Sequence, residues 1–105
     1  MKKEQITNTY GQLANWSKRI DQALFVLLEN ESYSGLMNEV LNDLREEHEG
    51  LFQFIKIKGD EAKAIQQEIS FSKLPALLIF SKGKLVAIYQ GLVAKHEITQ
   101  LLSKI

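Results

Sequence analysis

The 105-residue sequence contains no cysteine. Disulfides, thiolate nucleophiles, thiolate metal ligands and thiol–disulfide exchange are therefore all excluded. Proline occurs once and glycine six times, too few for a linker-rich or collagen-like chain. Neither sign of charge dominates, because thirteen basic and thirteen acidic residues cancel. The basic excess of a nucleic-acid or anionic-membrane binder is missing, so neither partner is expected. Long apolar runs are missing too. The longest are Ala23–Leu28 and Leu74–Phe80, far short of the roughly 20 residues a spanning helix needs. Met1-Lys2-Lys3-Glu4-Gln5 is charged but no apolar stretch follows it. That pattern predicts no secretory signal and a cytoplasmic location. The two histidines, His48 and His96, stand far apart in no ligand pattern, so no zinc site is expected; no other metal and no cofactor are expected either. Lys82-Gly83-Lys84 is a turn and not a phosphate-binding loop.

What is present suits one globular domain over residues 1–105: 45% hydrophobic and 25% charged residues, with no repeat and no linker-like stretch. Thr9-x-x-Gln12 has the form of a capping box, and Leu13, Trp16 and Ile20 follow at helical spacing. Ala23–Leu28 is unbroken and apolar, as in a strand covered on both faces. Leu36, Met37, Val40, Leu41 and Leu44 form the apolar stripe of a helix starting near Ser34 and closed by Gly50. Leu51–Lys58 is a second strand, and Asp60–Ile69 a short helix that Asp60 can cap. Ala76–Phe80 and Leu85–Tyr89 are strands joined by a hairpin turn at Ser81-Lys82-Gly83-Lys84. Gly91 marks a bulge or strand end. Ile98, Leu101, Leu102 and Ile105 share one face of a last helix that opens at His96. Gln5–Thr7 is a candidate for a short edge strand. Tyr10, Trp16 and Met37 fall on helical stripes and are expected in the core. Strand–helix alternation in the first half predicts a parallel core, which the final hairpin makes mixed: an α/β fold with four to five strands and four helices.

This order, and the residues at its corners, resembles thioredoxin over nearly the whole chain. Leu74-Pro75-Ala76-Leu77-Leu78-Ile79-Phe80 is similar to that family's apolar-Pro-Thr-apolar segment, Ser81–Lys84 to the turn after it, and Tyr89-Gln90-Gly91 to the glycine segment before its last helix. The resemblance implies a thioredoxin-like fold with Pro75 in the cis form. It also implies that the backbone of Leu74 is turned outward near the start of the second helix. In the family that backbone pairs with an extended peptide, an edge pairing that needs no cysteine.

The chain departs from the family at the redox centre. Where thioredoxins carry Trp-Cys-Gly-Pro-Cys-Lys, it has Asn30-Glu31-Ser32-Tyr33-Ser34-Gly35. Glu31 and Ser34 stand at the two cysteine positions. Phe25 stands at the family's buried aspartate, and Lys56 keeps the lysine beside it. The implied function is a redox-inactive binding or accessory module. It would hold a peptide or protein partner at a groove made by Glu31, Ser32, Tyr33, Ser34, Leu74, Pro75, Gly91 and Leu92, made more acidic by Glu31.

Two other readings stay open: a repurposed non-redox enzyme using Glu31 or Ser34 at the helix start, and an accessory subunit of a cysteine-bearing partner. Against the enzyme, Ser34 has no base at hand. His48 is 14 residues further along the same helix, about 21 Å at 1.5 Å per residue. Ser32 or Ser34 as helix cap and Glu31 as dipole complement account for the segment without catalysis. Lys56 is expected to be solvated, unless Glu29 or Glu31 reaches it.

Overall fold

A computed structural model describes residues 9–29, 35–48, 50, 52–91 and 93–104. Among these, eight elements follow in order: α1 (Thr9–Lys18), β1 (Ala23–Glu29), α2 (Gly35–Glu47), β2 (Phe52–Lys58), α3 (Gly59–Ile69), β3 (Ala76–Ser81), β4 (Lys84–Gln90) and α4 (Lys95–Leu102). The strands form one sheet in the order β2-β1-β3-β4. β1 runs parallel to β2 and antiparallel to β3, and β3 is antiparallel to β4. The proposed strand Gln5–Thr7 lies outside the described residues.

The sheet is the middle of three layers. Along β1, Phe25 and Leu27 join Met37, Leu41, Leu44 and Ile98 under α2 and α4. Leu24, Val26 and Leu28 join Leu13, Ala62 and Ile65 under α1 and α3. Both faces of a central strand are thus apolar, which is why its sequence shows no alternation. Every residue of β1 is buried. Each such leucine contributes about 1.5–3 kcal/mol by leaving water. Phe25 stacks on Phe52 with ring centroids 4.2 Å apart.

The parallel core is narrower than the alternation predicts, because only β1 and β2 are parallel. The reason lies after α3. Ser70 takes the left-handed conformation (φ 66°, ψ 51°), and its N–H closes the helix on the carbonyl of Gln66. The chain then runs back through 71–75 and enters β3 from the end where β1 finishes. That reversal makes β3 antiparallel.

The β3–β4 turn agrees with the sequence. Ser81 pairs with Lys84, and the two residues between them, Lys82 and Gly83, have φ of 54° and 87°. That is the I′ geometry matched to strand twist, and glycine adopts it without steric cost. The turn is tied down by Ser17, a buried residue whose hydroxyl donates to the carbonyl of Ala14 at 2.9 Å and accepts from the N–H of Gly83 at 2.8 Å.

Three expectations need correction. Asp60 does not cap α3: Lys58 is at the N-cap without a side-chain bond, and Asp60 lies in the first turn, where its charge complements the helix dipole. Trp16 is 37% exposed. The inward positions of α1 go to Leu13 and Ser17, four residues apart and one turn on the same face. Gly91 (φ 77°) stands at the end of β4, the strand-end alternative of the two roles expected of it, while the bulge lies between β3 and β4 near Val86, where the register shifts. α4 begins at Lys95, one residue before His96. The capping role of the Thr9 side chain and the stripe positions Leu36 and Ile105 fall outside what the structure describes. No helix among the described residues is long and apolar enough to cross a membrane.

Candidate functional site

The end of the sheet where β1 stops brings several sequence-predicted residues together. The β1–β3 register, ending at Leu28 opposite Ala76, continues one step to place Glu29 opposite Pro75. The β3–β4 register, ending at Ala76 opposite Gln90, continues to place Pro75 opposite Gly91. On the other side Glu29 is paired with Lys58. Lys58, Glu29, Pro75 and Gly91 therefore form one row across the sheet. The Leu74-Pro75 bond is cis, as the resemblance implies. Gly91 N–H donates to the carbonyl of Pro75 at 2.7 Å. Leu74 and Pro75 are half-buried, with Leu74 packed against the α1/α3 layer. Among the described residues, the N–H and C=O of Leu74 have no hydrogen-bond partner. Glu31, Ser32, Tyr33, Ser34 and Leu92 lie outside the described residues, so the expected acidity of the groove has no structural counterpart here.

Two features of this end are absent from the sequence reading. The first is the burial of Glu29, which extends β1 by one residue and is only 2% exposed. Its Oε2 accepts a bond from Asn38 Nδ2 at 3.4 Å, while Oε1 is buried without a hydrogen-bond partner among the described residues. Asn38 Oδ1 in turn accepts from Lys56 Nζ at 3.0 Å. Lys56 is exposed, as expected, and reaches Glu29 only through this amide. Asn38 lies in the first turn of α2, so the carboxylate is held at the positive end of that helix. A parity count could have hinted at this. Glu29 follows Ala23, Phe25 and Leu27 on the α2 face, and a strand one residue longer carries it inside.

The second feature is the support of the loop before Pro75. Gln90 Oε1 accepts from the N–H of Ser72 (3.0 Å), the hydroxyl of Ser72 (2.9 Å) and the N–H of Lys73 (3.1 Å). Gln66 Nε2 donates to the carbonyl of Phe71 at 3.2 Å. The loop is thus held by the ends of both β4 and α3. No local pattern signals either glutamine.

Elsewhere the surface offers less. A hollow of about 660 Å³ at the opposite end of the sheet is lined by Asn42, Arg45, Glu46, His48, Gly50 and Phe52. Its charges are mixed, and the Arg45 guanidinium already lies over the Phe54 ring at 5.8 Å. Lys95 and Glu47 form an exposed ion pair between α4 and α2. Its hydrogen bond to the carboxylate raises the Lys95 ammonium above the ordinary lysine value of 10.5. The described residues contain no group of three metal-ligating side chains.

No protein-family model matches the chain. Among solved structures, one described as the structure of a malarial protein superposes with a TM-score of 0.68 at 12% identity, covering 79% of this chain and 96% of that one. In all, 261 chains of known structure match. The described residues form a small α/β domain with a four-stranded mixed sheet, and an arrangement so widely used selects no function by itself.

Proposed function

We propose that this chain is a thioredoxin-like domain without redox chemistry, and that it holds an extended peptide segment of a protein partner against the loop 72–75. The absence of cysteine removes electron transfer. It leaves main-chain recognition intact. One observation carries the reading: the N–H and C=O of Leu74, without a partner among the described residues, stand at the end of the sheet in a loop pinned by Gln90 and Gly91. Such groups are a ready template for an added strand. Pinning them in advance spares a partner the entropy of ordering them.

The test is a random 12-mer peptide library displayed on phage, with selected peptides titrated into isotopically labelled protein. The reading expects amide shifts centred on Leu74 and Gly91. Shifts centred on Arg45, His48 and Phe52, or no selectable peptide, would overturn it. Insulin reduction serves as the companion assay, in which the pure protein gives no turnover; any turnover contradicts a cysteine-free chain.

A further inference from the structure

We infer that Gln90 is the positioning residue of this groove: its carboxamide oxygen presets the backbone at 72–73 and, through it, the main chain of Leu74. The consequence for peptide binding rests on the reading above, but the geometry stands apart from it. One oxygen receives three donors, two of them the consecutive amides of Ser72 and Lys73. The orientation of the amide is fixed by chemistry, since a nitrogen in that place would face the two backbone N–H groups of Ser72 and Lys73, which can only donate. Gln90 is exposed at the last position of β4, so burial does not dictate its rotamer. An unbranched exposed side chain has several rotamers to lose on being ordered. Here the three bonds do the ordering. Ser72 and Lys73 are also exposed, so their amides would otherwise turn to water, and the segment leading to Leu74 would sample other backbone states. Gly91, the next residue, donates to Pro75. Consecutive residues at the end of β4 therefore hold both flanks of Leu74.

The experiment compares Gln90→Ala, Gln90→Asn and Gln90→Glu by amide hydrogen exchange on the free protein. Alanine removes the acceptor, and asparagine retracts it by one methylene. Glutamate keeps an acceptor oxygen at the same reach and strengthens it with charge. Exchange at Ser72 and Lys73 should accelerate at least about tenfold in Gln90→Ala and Gln90→Asn, the scale set by losing two ordinary hydrogen bonds. It should return close to wild type in Gln90→Glu, while amides of β1 stay unchanged in all three. Unchanged exchange at Ser72 and Lys73 in Gln90→Ala, or failure of Gln90→Glu to restore protection, overturns the assignment. Affinity for a library-selected peptide is measured on the same variants. It should follow the exchange pattern, falling in the first two and recovering in the third. A wild-type protein that binds no peptide would sink the binding reading alone, because the exchange result still decides the role of Gln90.

Discussion

Replacing the buried Glu29 by methionine should stabilise the protein. The side chain is 2% exposed at the end of β1, with Oε1 out of reach of any partner among the described residues and Oε2 held by a single bond of 3.4 Å. An unsatisfied buried acceptor costs about 1–3 kcal/mol, more when charged. A bond near the long limit of acceptable geometry returns about 0.5 kcal/mol. Methionine is similar in length, unbranched and adaptable, so it fills the same space under α2 without a polar atom to satisfy. Asn38 is only half-buried and keeps its bond from Lys56, so little is lost there. The net expectation is a gain of about 1–2 kcal/mol, after allowing for the lost Asn38 bond. For a domain this size that raises Tm by roughly 5–15 °C. Urea unfolding followed by circular dichroism reads the midpoint, with an unchanged slope showing that the compactness of either state has not altered. Glu29→Gln separates two contributions: it drops the charge but keeps polar atoms, and should fall between wild type and methionine. A methionine variant less stable than wild type would refute the reasoning. It would mean that attraction from Lys56 and Lys58 outweighs the desolvation of the carboxylate.

Three further outcomes follow from the same geometry. Ser17→Ala leaves the Gly83 amide without its acceptor and should cost about 1–3 kcal/mol in urea unfolding, with exchange at Gly83 accelerating; a loss under 0.5 kcal/mol would count against the α1-to-hairpin tie. Gly83→Ala should cost about 1–2 kcal/mol for a left-handed alanine and displace the Lys18 stem, which a Cβ would meet at 2.5 Å. Gly50→Ala, at φ 84° but in open space, should cost less. Equal losses in calorimetry would remove the steric part of that account. For Lys95–Glu47, the folded lysine binds its proton more tightly than the unfolded one, so the pair's contribution is complete below the ordinary lysine value of 10.5 and fades as pH rises through the raised folded value. Lys95→Met should therefore differ from wild type below that range and converge with it above; a difference that grows with pH would reverse the sign.

Much of this fold could be read from the chain because it is written in local pattern. The unbroken run Ala23–Leu28 announces a strand covered twice, and both apolar layers close on it. Ser81–Lys84 announces a two-residue turn, and Lys82 and Gly83 adopt its positive φ values. What pattern cannot carry is direction and distance. The antiparallel entry of β3 follows a left-handed turn at Ser70, which nothing distinguishes from any serine after a helix. Trp16 faces water because Ser17 occupies the inward position, and a buried serine breaks the apolar stripe by which helix faces are assigned. Gln90 and Ser72 are 18 residues apart and meet only once the sheet is built. The site was half legible for the same reason: Leu74, Pro75 and Gly91 sit at pattern breaks, whereas Glu29 and Gln90 acquire their roles from the register.

The groove's own inventory limits what it can hold. Leu74 offers one donor and one acceptor, worth together about 2 kcal/mol net. Association costs at least about 4 kcal/mol in lost translation and rotation. Main-chain pairing at this one residue therefore cannot retain a peptide. A complex at 10 μM, about −7 kcal/mol, needs roughly 9 kcal/mol from elsewhere, which is about 350 Å² of apolar surface at 25 cal/mol per Å². Leu74 and Pro75 are half-buried apolar side chains at the loop, and a strand laid along it presents every second side chain to the protein. Selected peptides should accordingly carry large apolar residues at alternating positions, and replacing those with alanine should abolish binding while replacing the intervening residues should not. Peptides that tolerate alanine at all positions would show that affinity comes from main-chain contacts alone, and the area argument would then fail.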